Sequence, residues 1–148
     1  MITGKVRLAT SEGVGRQFLA ESGSGHTVVM DDAEGHTGAK PIEFALMALG
    51  GCTAFDVISI LRKKRQNVTG YEIELAAEQN AEPPMYFTRV FINHRLWGNV
   101  DPQAVEKAIH LSETRYCSVG AMISKTAELV TSYEINPRPA GVTVAEAA

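Results

Sequence analysis

The chain has 148 residues, a formal net charge of -3, 45% hydrophobic and 21% charged residues. That length suits one domain with its own core, needing neither disulfide staples nor a structural metal. The charge balance excludes an electrostatic nucleic-acid binder, because the one basic run, Arg62, Lys63, Lys64 and Arg65, is too short to supply a phosphate-binding face.

The opening stretch MITGKVRLATSEGVG holds no apolar run that could act as a signal segment, so a cytoplasmic location is expected. Residues 4–9 alternate weakly, as a strand does, and SEGVG at 11–15 reads as a turn. Arg16 to Ala20 and His26 to Met30 read as two further strands joined by an ESGSG turn, which gives an N-terminal antiparallel meander. DDAEGHTGAK at 31–40 is a polar connector to a helix start.

Pro41 suits the first helical turn, and Glu43 in that turn favours the helix dipole. The helix is expected to run to about Gln66, closing on the four basic residues. From Pro41 to Leu61 it is apolar enough to raise a membrane span, but Glu43, Asp56 and the Gly50-Gly51 pair interrupt it. A central helix packed inside a protein, partly against another subunit, explains the pattern without placing charge in lipid.

YEIELAAE at 71–78 and YFTRVFINHRL at 86–96 predict a hairpin across a NAEPP loop. Asp101 and Pro102 open a helix to about Thr114, as N-cap and first helical residue. Cys117-Ser118 starts a short helix, and ELVTSYEI at 128–135 is a closing strand. The segment from 137 to 148 reads as a mobile tail. With no repeat and no dividing linker, residues 1–148 are expected to form a single α+β domain.

The only cysteines, Cys52 and Cys117, stand 65 positions apart (117 minus 52). In a reducing compartment they are either a cycling thiol pair or two inert core thiols. Cys117 lies at a helix start with Arg115 two residues before it, and both features favour a thiolate. Cys52 lies mid-helix and needs a cation brought by the tertiary fold, for which Arg16 is the candidate. Asp56, one turn beyond Cys52 on the same face, needs a partner of its own. His26, His36, His94 and His110 lack ligand spacing, so no metal motif or cofactor signature is legible.

The stretch KPIEFALMALGGCTAFDVISIL resembles the central-helix motif of the OsmC/Ohr family, in particular its YhfA-like branch, and ETRYCSVGAMIS resembles that family's second cysteine motif. The resemblance implies an OsmC-like fold, with antiparallel sheets around a long central helix, and an intertwined homodimer. It implies thiol-dependent reduction of organic hydroperoxides in oxidative-stress defence. Cys52 would be the peroxidatic thiol, Cys117 the resolving thiol and Arg16 the thiolate-stabilising cation, with a lipoyl-type dithiol as reductant. The peroxidase branches place their glutamate directly after the proline. Here Ile42 stands there and Glu43 follows, which turns the carboxylate by about 100° and leaves Asp56 to share in its role. The competing readings are a dimeric small-ligand-binding protein without peroxide turnover and a structural domain with two core thiols.

Overall fold

The computed structural model describes residues 1–9 and 15–137. The turn expected at 11–15, apart from Gly15, and the tail from 138 onward lie outside the described residues. The chain divides into two compact units, Met1–Met47 and Ala48–Ala148, and the division falls inside a helix instead of at a linker.

In the first unit, β1 (Gly4–Leu8), β2 (Phe18–Ser22) and β3 (Thr27–Met30) form the expected antiparallel meander in the order β1-β2-β3. Ala20 sits opposite Val6 on one side and Val28 on the other. Gly25, at φ 85°, supplies the left-handed residue of the turn between β2 and β3. The connector after β3 is organised by two carboxylates. Asp31, buried, accepts from the Asp32 amide at 2.8 Å, the Thr37 amide at 3.2 Å and the Thr37 hydroxyl. These bonds, the Thr37 hydroxyl first, hold its carboxyl below the usual range.

The helix α1 (Pro41–Lys63) starts as the sequence predicts. Glu43 reaches back to accept from the Lys40 amide at 2.7 Å, one half of a capping box. The helix stops three residues earlier than expected because Arg65 turns left-handed, at φ 55°. Its amide bonds to the Arg62 carbonyl and the Gln66 amide to the Leu61 carbonyl, which is Schellman closure without a glycine. By length and composition α1 could cross a bilayer. Instead, Leu49, Thr53, Val57 and Leu61 form an i, i+4 stripe that is buried. Apart from buried Gly50, the rest of the helix stays partly open, with Phe55 77% exposed.

In the second unit, β4 (Asn67–Gln79) and β5 (Phe87–Asn99) pair antiparallel as the predicted hairpin, and β6 (Glu128–Ile135) joins the other edge of β5. β6 runs parallel to β5, so this sheet is mixed and not antiparallel throughout. A parallel neighbour needs a crossover, and the helical residues between β5 and β6 provide it. Those residues are α2 (Pro102–Leu111), a π-helical turn (Ser112–Tyr116) and α3 (Ser118–Ile123). Asp101 caps α2 by accepting from the Gln103 amide at 3.0 Å, with Pro102 in the first turn, as expected. Val57 and Leu61 of α1, Leu96 of β5 and Val105, Ala108 and Ile109 of α2 form the core of this unit.

Candidate functional site

The second unit brings together the chain's two cysteines, 65 positions apart in the sequence (117 minus 52). Cys52 and Asp56 are one turn apart on α1, and Cys117 is the N-cap of α3. The two sulfurs and one carboxylate oxygen of Asp56 all lie within 4.8 Å of one another. Both thiols are free.

The π-helical turn makes this meeting possible. Its widened bond, from the Cys117 amide to the Ser112 carbonyl at 2.8 Å, ends the run of α2 and aims Cys117 back at α1. Such turns often mark functional positions. Ser112, fully buried, donates from its hydroxyl to Asp56 Oδ2 at 2.9 Å. Its hydroxyl also lies 3.3 Å from that of Thr53, which in turn donates to Cys117 Sγ at 3.6 Å. The Gly120 amide reaches the same sulfur at 3.2 Å. Among the described residues Asp56 therefore has the partner it needs, a hydroxyl and not a cation. Thr53 was not singled out in the sequence, because a threonine in an apolar helix carries no signal until its neighbour across the fold is known.

The two thiols differ. Cys52 is half-buried, whereas Cys117 is only 4% exposed. Burial pushes the Cys117 thiol up, and the neighbouring Cys52 adds to the rise; Thr53 and the Gly120 amide pull the other way without cancelling it. The helix start does favour a Cys117 thiolate, as expected, through the Gly120 amide, but burial outweighs it, and Arg115 does not contribute. The helix it starts has only six residues, and the Arg115 guanidinium lies over the Tyr116 ring at 5.7 Å. The arrangement suits an accessible thiol that reacts first and a protonated one beside it that reacts second.

In the first unit, Arg16 donates through Nε to Asp32 Oδ2 at 2.8 Å. That bond raises the arginine and, with the Gly35 and Glu34 amides, lowers the Asp32 carboxyl. Asp32, which the sequence reading passed over as part of a polar connector, is therefore the carboxylate that engages Arg16. Glu43 is engaged at the Lys40 amide. An open cavity of about 590 Å³ borders Arg16, with Phe18, Met30 and Pro41 on its apolar walls and Lys40 at its edge.

A mixed α+β scaffold that places two free thiols side by side defines a dithiol protein. A family model described as OsmC-like protein matches residues 33–132, and the chain belongs to that family. Protein YhfA of Escherichia coli (strain K12) is 42% identical over 122 residues, spanning 82% of this chain and 91% of that protein. A crystal structure of a hypothetical protein from Aquifex aeolicus VF5 matches at a TM-score of 0.82 and 28% identity, covering 94% of this chain and 98% of the other. The organic hydroperoxide resistance protein OhrB of Bacillus subtilis shares the fold, at a TM-score of 0.63 and 15% identity over 89% of this chain and 98% of its own.

Proposed function

We propose that this protein is a cytoplasmic, thiol-dependent reductase of organic hydroperoxides that serves in oxidative-stress defence. The observation that carries the reading is the pair of free sulfurs, one accessible and one buried, within 4.8 Å. The Cys52 thiolate attacks one peroxide oxygen; the O–O bond breaks, the alcohol leaves with a proton, and Cys52 becomes a sulfenic acid. Cys117 then attacks that sulfur, forms the disulfide and expels water. An external dithiol of lipoyl type reopens the disulfide by exchange.

An apolar alkyl or aryl peroxide is the fitting substrate class. Phe55, three residues beyond Cys52 on the helix surface, and Met122, on the helix that Cys117 starts, are both exposed and would shield an apolar tail from water. Each unit carries exposed apolar side chains, Val6 and Leu8 on β1 in the first and Phe55 and Met122 in the second, and these support a homodimer. Light scattering at twice the 16.0 kDa chain mass is the expected result. Arg16 is proposed as the cation that favours the Cys52 thiolate, with Asp32 now the carboxylate that orients it and Glu43 the helix cap. Thiolate absorbance should titrate at higher pH in Arg16→Ala, and an unchanged curve removes Arg16 from the site.

Consumption of cumene hydroperoxide with a dihydrolipoyl donor tests the whole reading. The expected rate exceeds that with hydrogen peroxide, and one equivalent of peroxide removes two hydrogens from the intact mass. Two titratable thiols persisting after peroxide treatment would sink it.

A further inference from the structure

The cysteine pair is also the greater part of a metal-binding constellation. Two sulfurs and one carboxylate oxygen, from Cys52, Cys117 and Asp56, converge within 4.8 Å. A tetrahedral zinc ion has bonds of about 2.3 Å to sulfur and about 2.0 Å to oxygen, which puts its donor atoms roughly 3.5–3.8 Å apart. The cluster needs to contract by at most about 1.3 Å to reach that shape.

Its donors are already held from behind. Ser112 fixes the Asp56 carboxylate, Thr53 links that hydroxyl to Cys117, and the Gly120 amide orients the same sulfur. Outer hydrogen bonds of this kind are what set ligand orientation in metal sites. Cys52 and Asp56, i and i+4 on one helix, supply two donors from a rigid element. The partial exposure of Cys52 leaves an approach for the ion. Two thiolates with one carboxylate suit a borderline-soft divalent cation better than calcium or magnesium, which take oxygen donors.

We propose that Cys52, Asp56 and Cys117 form a three-ligand site for zinc or a cation of the same class, with a fourth position left to water or an external ligand. Uptake of the ion releases the two thiol protons to solvent, so binding tightens as pH rises. The site and the disulfide exclude each other, since zinc needs both sulfurs as thiolates and oxidation to the disulfide removes both thiolates. Metal uptake stands on this geometry alone and does not require that the protein turn over peroxide.

The test uses the reduced full-length protein. Cobalt(II) should bind one to one, with thiolate-to-cobalt charge transfer in the near ultraviolet and tetrahedral ligand-field bands. Zinc, competed against a chromophoric chelator, should displace it. Binding should vanish in Cys52→Ser, in Cys117→Ser and in the oxidised protein. Asp56→Asn should weaken it by at least about 10-fold, and Ser112→Ala, which keeps all three ligands, by roughly 10-fold. A cobalt spectrum without the thiolate band, read on the unaltered protein, overturns the site whatever the variants do. Equal zinc affinity in folded Asp56→Asn overturns the carboxylate ligand and with it the three-ligand geometry. Ion uptake without peroxide turnover would separate this inference from the activity proposed above; turnover without uptake would sink the ion alone.

Discussion

Cys52→Ser should abolish hydroperoxide consumption, by on the order of a thousandfold or more, the scale of losing a nucleophile. Cys117→Ser should instead consume about one equivalent and stop, with Cys52 trapped as a sulfenic acid. The asymmetry follows from burial. Cys52 is half-exposed, while Cys117 is 4% exposed and its thiol is pushed up by desolvation, so a peroxide meets Cys52 first. Once Cys52 is oxidised, Cys117 lies within 4.8 Å and closes the bond by moving at most roughly 3 Å toward the usual S–S length. The short helix that Cys117 caps can supply that shift, since Thr53 and the Gly120 amide are the hydrogen bonds its sulfur must give up. A dimedone-type probe with intact-mass readout distinguishes the outcomes. Sulfenic acid appearing on Cys117 in the Cys52→Ser protein would reverse the assignment, and multiple turnovers in Cys117→Ser would remove its resolving role.

Local chemistry was legible in the sequence wherever it decides structure locally. Pro41 and Glu43 mark the start of α1, Asp101 and Pro102 the start of α2, and the alternation in 71–78 the first strand of the hairpin. What escaped reading depends on partners far along the chain. The parallel pairing of β6 with β5 is set by the crossover between them, not by the alternation of ELVTSYEI. The early stop of α1 rests on Arg65 adopting a conformation that a basic residue does not announce. At the site, the two cysteines were legible from motif resemblance. The hydroxyl relay from Thr53 through Ser112 to Asp56 was not, because its members span 59 and 56 positions of sequence. Arg115 shows the converse error: proximity in sequence suggested a cation for Cys117, but the side chain lies on Tyr116.

Acid should destabilise the protein well before its carboxylates protonate, and His94 is the reason. It sits on the central strand β5 with no exposed surface, opposite Ile73 on β4 and Tyr133 on β6. Nδ1 lies 2.7 Å from the Tyr71 hydroxyl, and the two rings stack at 6.0 Å. Nε2 is buried and has no hydrogen-bond partner among the described residues. An imidazolium there would have to bury a second donor with nothing to receive it, and desolvation lowers the His94 pKa from 6.5 to about 4. In the unfolded chain the same ring takes its proton near 6.5. Between those values the unfolded state binds more protons than the native one, so stability falls as pH falls. The contribution is intact above about pH 6.5, drains away toward about pH 4 and then levels off, once the native ring is protonated as well. A gap of that size corresponds to about 3 kcal/mol. His94→Gln keeps a group that can bond the Tyr71 hydroxyl but does not titrate. Denaturant unfolding of both proteins from about pH 7.5 to about pH 4.5 should therefore show the wild type losing roughly that much more than the variant. Parallel losses in the two would mean that His94 is not what makes this fold sensitive to acid.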